Sequence, residues 1–277
     1  LMSETRVDRR EFVRGALAAG GAAALSLEAT PAPAGEGPAS ASTRPGKRKA
    51  LFVYGGWEGH TPSKSRDLFV PWLERTGFEV LASDTQEPYA DAALMKTVDL
   101  VVQTWTIGTI KKEQLQGLLA AVKEGAGLAG WHGGLADAYR QEAEYQYMVG
   151  GSWVAHPGNQ IDYEVRIVDS EDPVTAGLRD FRVHDEQYFM HVNPNNKVLA
   201  TTAFTGAHHP WIDGCTMPVV WKKVYGKGRV FYSSLGHTVG VFDTPEALEI
   251  VRRGLLWASE SRYTPTPELV SPVYPLR

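Results

Sequence analysis

Residues 127–137, GLAGWHGGLAD, hold one side chain in the spacing G-x-Nuc-x-G. An apolar run closes on Gly130 and a helical segment follows Gly133-Gly134. That pattern of strand, sharp turn and helix lifts a side chain above the edge of a sheet. The side chain is His132, where a serine or cysteine nucleophile would be expected. Imidazole is a poor stable acyl carrier, but at such a turn it is well aimed as a metal ligand or a general acid and base. Two more strand ends bring histidines: GGWEGH (55–60) carries Trp57, Glu58 and His60, and FYSSLGH (231–237) carries His237. GGSWVAHP (150–157) adds His156, and VHDEQYF (183–189) adds His184, Asp185, Glu186 and Tyr188. Neutral imidazoles with one or two carboxylates suit a divalent transition metal such as zinc. Cys215 is the only cysteine, so a thiolate cluster and an internal disulfide are both excluded.

The expected metal ligands are His60, His132, His156 and His237. The expected catalytic groups are His132, Glu186 and His237, and the expected substrate contacts are Trp57, Glu58, Trp131 and Tyr188. Each has a structural alternative, because histidines at strand ends also satisfy loop backbone and aromatic residues more often build core. Asp185 and Glu186 are neighbours in an extended segment and must face opposite sides; Glu186 is assigned the functional direction. His208-His209 precede Pro210-Trp211 in a solvated loop, and His184 and His191 are read as structural. Lys222-Lys223 is read as the solvated face of a hairpin, and Cys215 as an interior or loop residue.

Positioning these groups falls to alternating elements. Strands are expected at ALFVY (50–54), FEVLAS (78–83), DLVVQT (99–104) and GLAG (127–130), with helices over about 63–76 and 111–124. Leu115, Leu118, Leu119 and Val122 follow the i, i+3, i+4, i+7 rule of a helix with one buried face. Alternation of this kind predicts a mostly parallel sheet with helices on both faces. The second half reads as antiparallel additions: YEVRIVD (163–169), KVLATTAF (197–204), and PVVWKKVY (218–225) turning at Gly226-Lys227 into GRVFYSS (228–234). Thr244 and Pro245 then open a final helix with Leu248, Val251 and Leu255 on one face. In open parallel sheets, ligands gather at the carboxyl ends of the strands, which is where the histidines fall.

The 277 residues divide unevenly. DRREFVR (8–14), a weakly apolar run from Gly15 to Leu27 and the small-residue site Ala32-Pro33-Ala34 read as a twin-arginine export signal over 1–34. Residues 35–49 read as a flexible linker, 50–262 as the folded domain and 263–277 as a tail. A periplasmic or secreted location is expected, with no integral membrane span in the mature chain. With 28 Lys and Arg against 32 Asp and Glu, no basic face is implied, so nucleic acid and anionic membranes are not expected partners. Homo-oligomerisation is left open.

From about 50 to 260 the chain resembles the ThuA-like, or trehalose-utilisation, family, which is similar in fold to class I glutamine amidotransferases. GGWEGHTP (55–62), GWHGG (130–134), GGSWVAHP (150–157), DEQYF (185–189) and MPVVWKKVYGKGRVFYSSLGH (217–237) carry the resemblance together. It implies a flavodoxin-like sheet and a role in the uptake or breakdown of disaccharides. In the amidotransferase superfamily the elbow holds a cysteine, helped by a histidine two residues before a glutamate. Here those positions resemble His132, His237 and Val239, so glutaminase chemistry is not expected. The expected function is metal-assisted hydrolysis, or a lyase or isomerase step, on a sugar or keto-sugar glycoside. The alternative is a non-catalytic sugar-binding or accessory protein.

Overall fold

Ala50 to Val53 are all nearly inaccessible to solvent, and their side chains alternate between two separate cores. Ala50 and Phe52 join one core with Phe69, Leu73, Ile250 and Leu255, while Leu51 and Val53 join the other with Leu118, Val122 and Met148. A strand covered on both faces needs no polar alternation, which is why it reads as a continuous apolar run. The computed structural model describes residues 46–265 and Leu269. They belong to one compact unit, Ala41–Arg277. The expected signal over 1–34 lies outside the described residues, as do most of the linker and most of the tail.

Eleven strands are described: β1 (Arg48–Gly56), β2 (Phe78–Ser83), β3 (Leu100–Thr106), β4 (Gly127–Trp131), β5 (Gly151–Ala155), β6 (Gln160–Ile167), β7 (Phe181–Glu186), β8 (Phe189–Val192), β9 (Lys197–Ala203), β10 (Thr216–Tyr225) and β11 (Gly228–Ser233). The α-helices are α1 (Pro62–Arg75), α2 (Ala92–Thr97), α3 (Lys112–Lys123), α4 (His132–Ala136), α5 (Ala143–Val149) and α6 (Pro245–Ser259). Nine strands form one sheet in the order β2-β1-β3-β4-β11-β10-β9-β6-β7. The first five are parallel, in the 2-1-3-4-5 order of a flavodoxin-like sheet, and the last four continue antiparallel. Helices α1 and α6 cover one face, α3 and α5 the other. The fold class is thus α/β with the antiparallel additions in the second half. No helix among the described residues is long and apolar enough to cross a membrane.

Two features depart from the sequence reading. Segments 151–155 and 189–192 pair as a separate two-stranded antiparallel sheet, β5 with β8, too short and too local to show a clear period. Lys222 and Lys223 are buried rather than solvated, at 3 % and 5 % exposure. Their strand β10 is covered on both sides, so the lysines need internal partners. Lys222 Nζ meets Asp172 Oδ2 at 2.6 Å beneath the Trp257 ring, and Lys223 Nζ donates to Asn195 Oδ1 at 2.7 Å. Thr244 precedes α6 as its N-cap but makes no side-chain capping bond; Pro245 at the first turn supplies the fixed φ instead.

Candidate functional site

His132 stands at the junction of β4 and α4 with φ +48°, a left-handed conformation uncommon for a residue with a side chain. Its flanking glycines are required by close approach. A Cβ on Gly130 would lie 2.4 Å from the Gln103 carbonyl oxygen, and one on Gly134 would lie 2.7 Å from Thr104 Cα. The G-x-x-x-G spacing therefore lets a sharp turn sit flat against β3.

β1, β4, β7 and β11 deliver His60, His132, Glu186 and His237 to one point. Their ligand-type atoms all lie within 4.8 Å of one another. Parallel neighbours β1, β3, β4 and β11 bring their carboxyl ends to one rim, three of them followed by a histidine of the cluster, and β7, four antiparallel steps beyond β11, runs in the same direction and ends there too. Inside the cluster, His132 Nδ1 lies 2.7 Å from the Ser234 carbonyl oxygen, which only accepts, so Nδ1 carries the proton. His132 Nε2 then faces Glu186 Oε2 at 3.1 Å. The same carboxylate oxygen lies 3.2 Å from His237 Nδ1, a distance suited to an ion pair, yet the angle is wrong for a hydrogen bond and this buried nitrogen has no hydrogen-bond partner. His60 Nδ1 is paired with Thr106 Oγ1 at 2.8 Å.

Charge follows from burial and proximity. Burial, reinforced by the charges of His132 and His237, pushes the His60 imidazole down to about 2, so it is neutral. Burial alone would raise the Glu186 carboxyl, but the adjacent His132 and His237 imidazoles outweigh it and hold the group below the usual carboxylate range. Asp185, the neighbour of Glu186, turns the other way. It is wholly buried and accepts from the backbone N–H groups of Gly236 at 2.7 Å and His237 at 3.1 Å. One carboxylate thus ties down the loop that carries His237 while the next enters the cluster. Burial raises the Asp185 pKa against those stabilising bonds.

Three imidazoles and a carboxylate fit a divalent cation by donor chemistry. Ligand atoms of a tetrahedral zinc site stand about 3.3 Å apart for bonds of about 2.0–2.1 Å, close to the 3.1 and 3.2 Å separations around Glu186. The Ser234 carbonyl also supplies the outer hydrogen bond that fixes a ligating histidine's tautomer. His156 is outside this set. Its Nε2 lies 3.8 Å from the other oxygen of Glu186, and its side chain is 31 % exposed, so Glu186 takes the fourth corner that the sequence reading gave to His156.

A cavity of about 310 Å³ adjoins the cluster. His60, His156, Glu186 and Tyr188 line its inner side, and Trp57, 48 % exposed, lines its mouth. The Tyr188 ring lies over His132 with centroids 4.0 Å apart. Two expected substrate contacts are elsewhere. Trp131 is core, 3 % exposed and packed against Phe52, Phe69 and Phe242, because the pleat turns it to the α1 and α6 face while the elbow turns His132 up. Glu58 is exposed in the 3-10 turn Glu58–His60 and does not line the cavity. Sequence reasoning missed five lining residues, Ile107, Asp137, Arg140, Trp153 and Asn159. Asp137 and Arg140 follow directly from the elbow helix, and that was their one signal. Val239 supplies no acid, as read, but Glu186 reaches His237 from across the sheet, so a carboxylate beside this histidine is present after all. His184 pairs with Asp162 at the surface, and His208 and His209 are exposed.

No curated protein matches the chain. Solved structures do. A protein described as ThuA-like from Bacteroides uniformis superposes with a TM-score of 0.65 at 17 % identity, covering 80 % of this chain and 95 % of that one. Another from Parabacteroides merdae gives 0.63 at 20 % identity, covering 80 % and 93 %. A Salmonella typhimurium cytoplasmic protein gives 0.55 at 14 % identity, covering 76 % and 98 %. At these identities the likeness concerns the fold. The model of the family described as "ThuA: Trehalose utilisation" matches residues 49–258, most of the chain and every residue of the site. The chain belongs to the ThuA trehalose-utilisation family.

Proposed function

We propose that His60, His132, Glu186 and His237 hold a divalent cation of the zinc class, and that the protein acts on a carbohydrate in the adjoining cavity. The reaction class is hydrolysis, or a lyase or isomerase step, on a sugar or keto-sugar glycoside. Family membership supports a carbohydrate-related role. One observation carries the metal reading: His132, held through Nδ1 by the Ser234 carbonyl, turns Nε2 to a carboxylate oxygen at 3.1 Å, and an unpartnered His237 nitrogen lies 3.2 Å from the same atom. Acceptors so close need a proton or a cation between them, and buried polar atoms without partners are costly.

When bound, such a cation polarises a hydroxyl or carbonyl oxygen or lowers the pKa of a bound water. The chain's own residues do the rest. Ser234 holds the His132 ring in one tautomer, and the Tyr188 ring covers its face. Asp185 fixes the backbone that presents His237. His156, at the cavity wall with its side chain partly exposed, is the group placed to exchange a proton with a bound sugar. Trp57 offers a half-exposed aromatic face on which a sugar ring can stack.

Elemental analysis of the purified protein, with turnover on a panel of disaccharides and glycosides before and after chelation, tests the reading. Stoichiometric metal and chelator-sensitive turnover support it. Metal-free protein would reject the cation, and bound sugar without turnover would make this an accessory binding protein. The segment DRREFVR supports export by the twin-arginine route. Replacing Arg9 and Arg10 together by lysine is expected to keep the protein in the cytoplasm, and its normal appearance outside on fractionation would reject that route.

A further inference from the structure

The elbow helix carries more than His132. Asp137 closes α4, its N–H donating to the Gly133 carbonyl at 3.1 Å, and Arg140 follows one turn on. Arg140 grips Asp137 with two parallel hydrogen bonds, Nε to Oδ1 and Nη2 to Oδ2, the latter 2.9 Å. Its guanidinium also lies over the Trp153 ring, 4.6 Å from the centroid. The bidentate bond and the aromatic face lock the plane of a side chain that is otherwise long and mobile. All three residues line the same cavity as His60 and Glu186. Asp137 is 4 % exposed, while the Arg140 side chain is 45 % exposed, so the pair is anchored inside and opens towards the cavity mouth.

The ion pair leaves guanidinium N–H groups at Nη1 and Nη2, and lone pairs on both carboxylate oxygens. A rigid donor edge beside a rigid acceptor edge matches adjacent hydroxyl groups on a sugar, each of which both donates and accepts. The charge of Arg140 is already neutralised by Asp137, and Glu186 adds a further carboxylate to the cavity. A sugar acid would have to shed water from its carboxylate with no free counter-charge at this wall.

We propose that Asp137 and Arg140, backed by Trp153, form a clamp for adjacent hydroxyls of an uncharged sugar ring and set the site against sugar acids. This rests on the carbohydrate part of the function proposed above and is independent of the cation. Nothing in the sequence motifs assigns these residues; the cavity and the bidentate pair do.

Calorimetric titration of the full chain with glucose and with glucuronate tests the clamp. Arg140→Gln removes the donors, and Arg140→Lys keeps the charge but loses the planar fork. Both should weaken glucose binding about ten- to a hundredfold, the loss expected for hydrogen bonds to a charged group. Arg140→Gln leaves the buried Asp137 carboxylate without its partner and should lower the melting temperature, Arg140→Lys keeps a counter-charge and should lower it less, and metal content should be unchanged in both. Asp137→Asn should free the guanidinium charge and raise the glucuronate-to-glucose affinity ratio by about tenfold. Wild-type glucose affinity in Arg140→Gln would overturn the clamp, as would a wild-type preference for glucuronate or no binding of either sugar. Metal-free protein whose glucose binding depends on Arg140 would sink the cation alone. Metal-loaded protein whose sugar binding ignores Arg140 would sink the clamp alone.

Discussion

Gly133→Ala offers a direct test of whether His60 belongs to the metal set. Gly133 lies within α4, so alanine suits its backbone and gains up to about 1 kcal/mol of helix propensity. The difficulty is space. A Cβ there would stand 2.5 Å from His60 Cε1 and 2.9 Å from His60 Nδ1, whereas ordinary contact begins at 3.4 Å. The imidazole must therefore retreat by about 0.9 Å, the difference between 3.4 and 2.5 Å. Metal–ligand distances tolerate only about 0.2 Å. Overpacking costs about 1–3 kcal/mol, so the net destabilisation is about 0–3 kcal/mol, or at most about 12 °C at about 2–4 °C per kcal/mol. Zinc affinity should fall far more, by about tenfold at least, since even outer partners of ligands are worth about 10–100-fold. Equilibrium dialysis against graded free zinc, with elemental analysis and melting curves on the same samples, measures both. The double variant Gly133→Ala, His60→Ala should regain melting temperature, because the overlap is gone, without regaining zinc. Wild-type zinc affinity in Gly133→Ala would refute the placement of His60 as a ligand.

Glu186→Gln should abolish the stabilisation that metal confers on the wild type, about 2.7 kcal/mol or about 5–11 °C at a hundredfold excess over Kd; a chelator-sensitive melt in the variant would contradict Glu186 as a ligand. Lys222→Met strands the Asp172 carboxylate and should cost about 3–5 kcal/mol, a fall of about 6–20 °C, while adding Asp172→Asn should recover part of it. A melting curve within error of wild type would mean that the lysine is solvated. Burial raises Tyr89, Tyr145, Tyr163 and Tyr232 well above the usual phenol value. The folded chain therefore keeps protons that the unfolded chain releases above about pH 10, so this stability is complete below pH 10 and lost as pH rises beyond it. These phenols should stay silent in tyrosinate absorbance until the chain unfolds, and their ionisation in the folded protein near the usual value would refute the burial.

Local signals were enough for the parallel strands and for the elbow. Continuous apolar runs mark β1, β3 and β4 because both sheet faces are covered, and the glycines around His132 mark a turn that only small neighbours allow. The alternation rule also separated Asp185 from Glu186, since adjacent residues on a strand cannot share a face. Strand order was beyond such signals. Placing β11 beside β4 and letting β7 close the far edge of the sheet is a consequence of global packing. Through it Glu186, and not His156, completes the cluster. Packing likewise sends Trp131 into the core while its neighbour His132 enters the site, and it buries Lys222 against Asp172 fifty residues away. Asp137, Arg140 and Trp153 meet for the same reason: a side chain's partners across the sheet are set by which surfaces bury together, and a linear pattern records only which faces want to be buried.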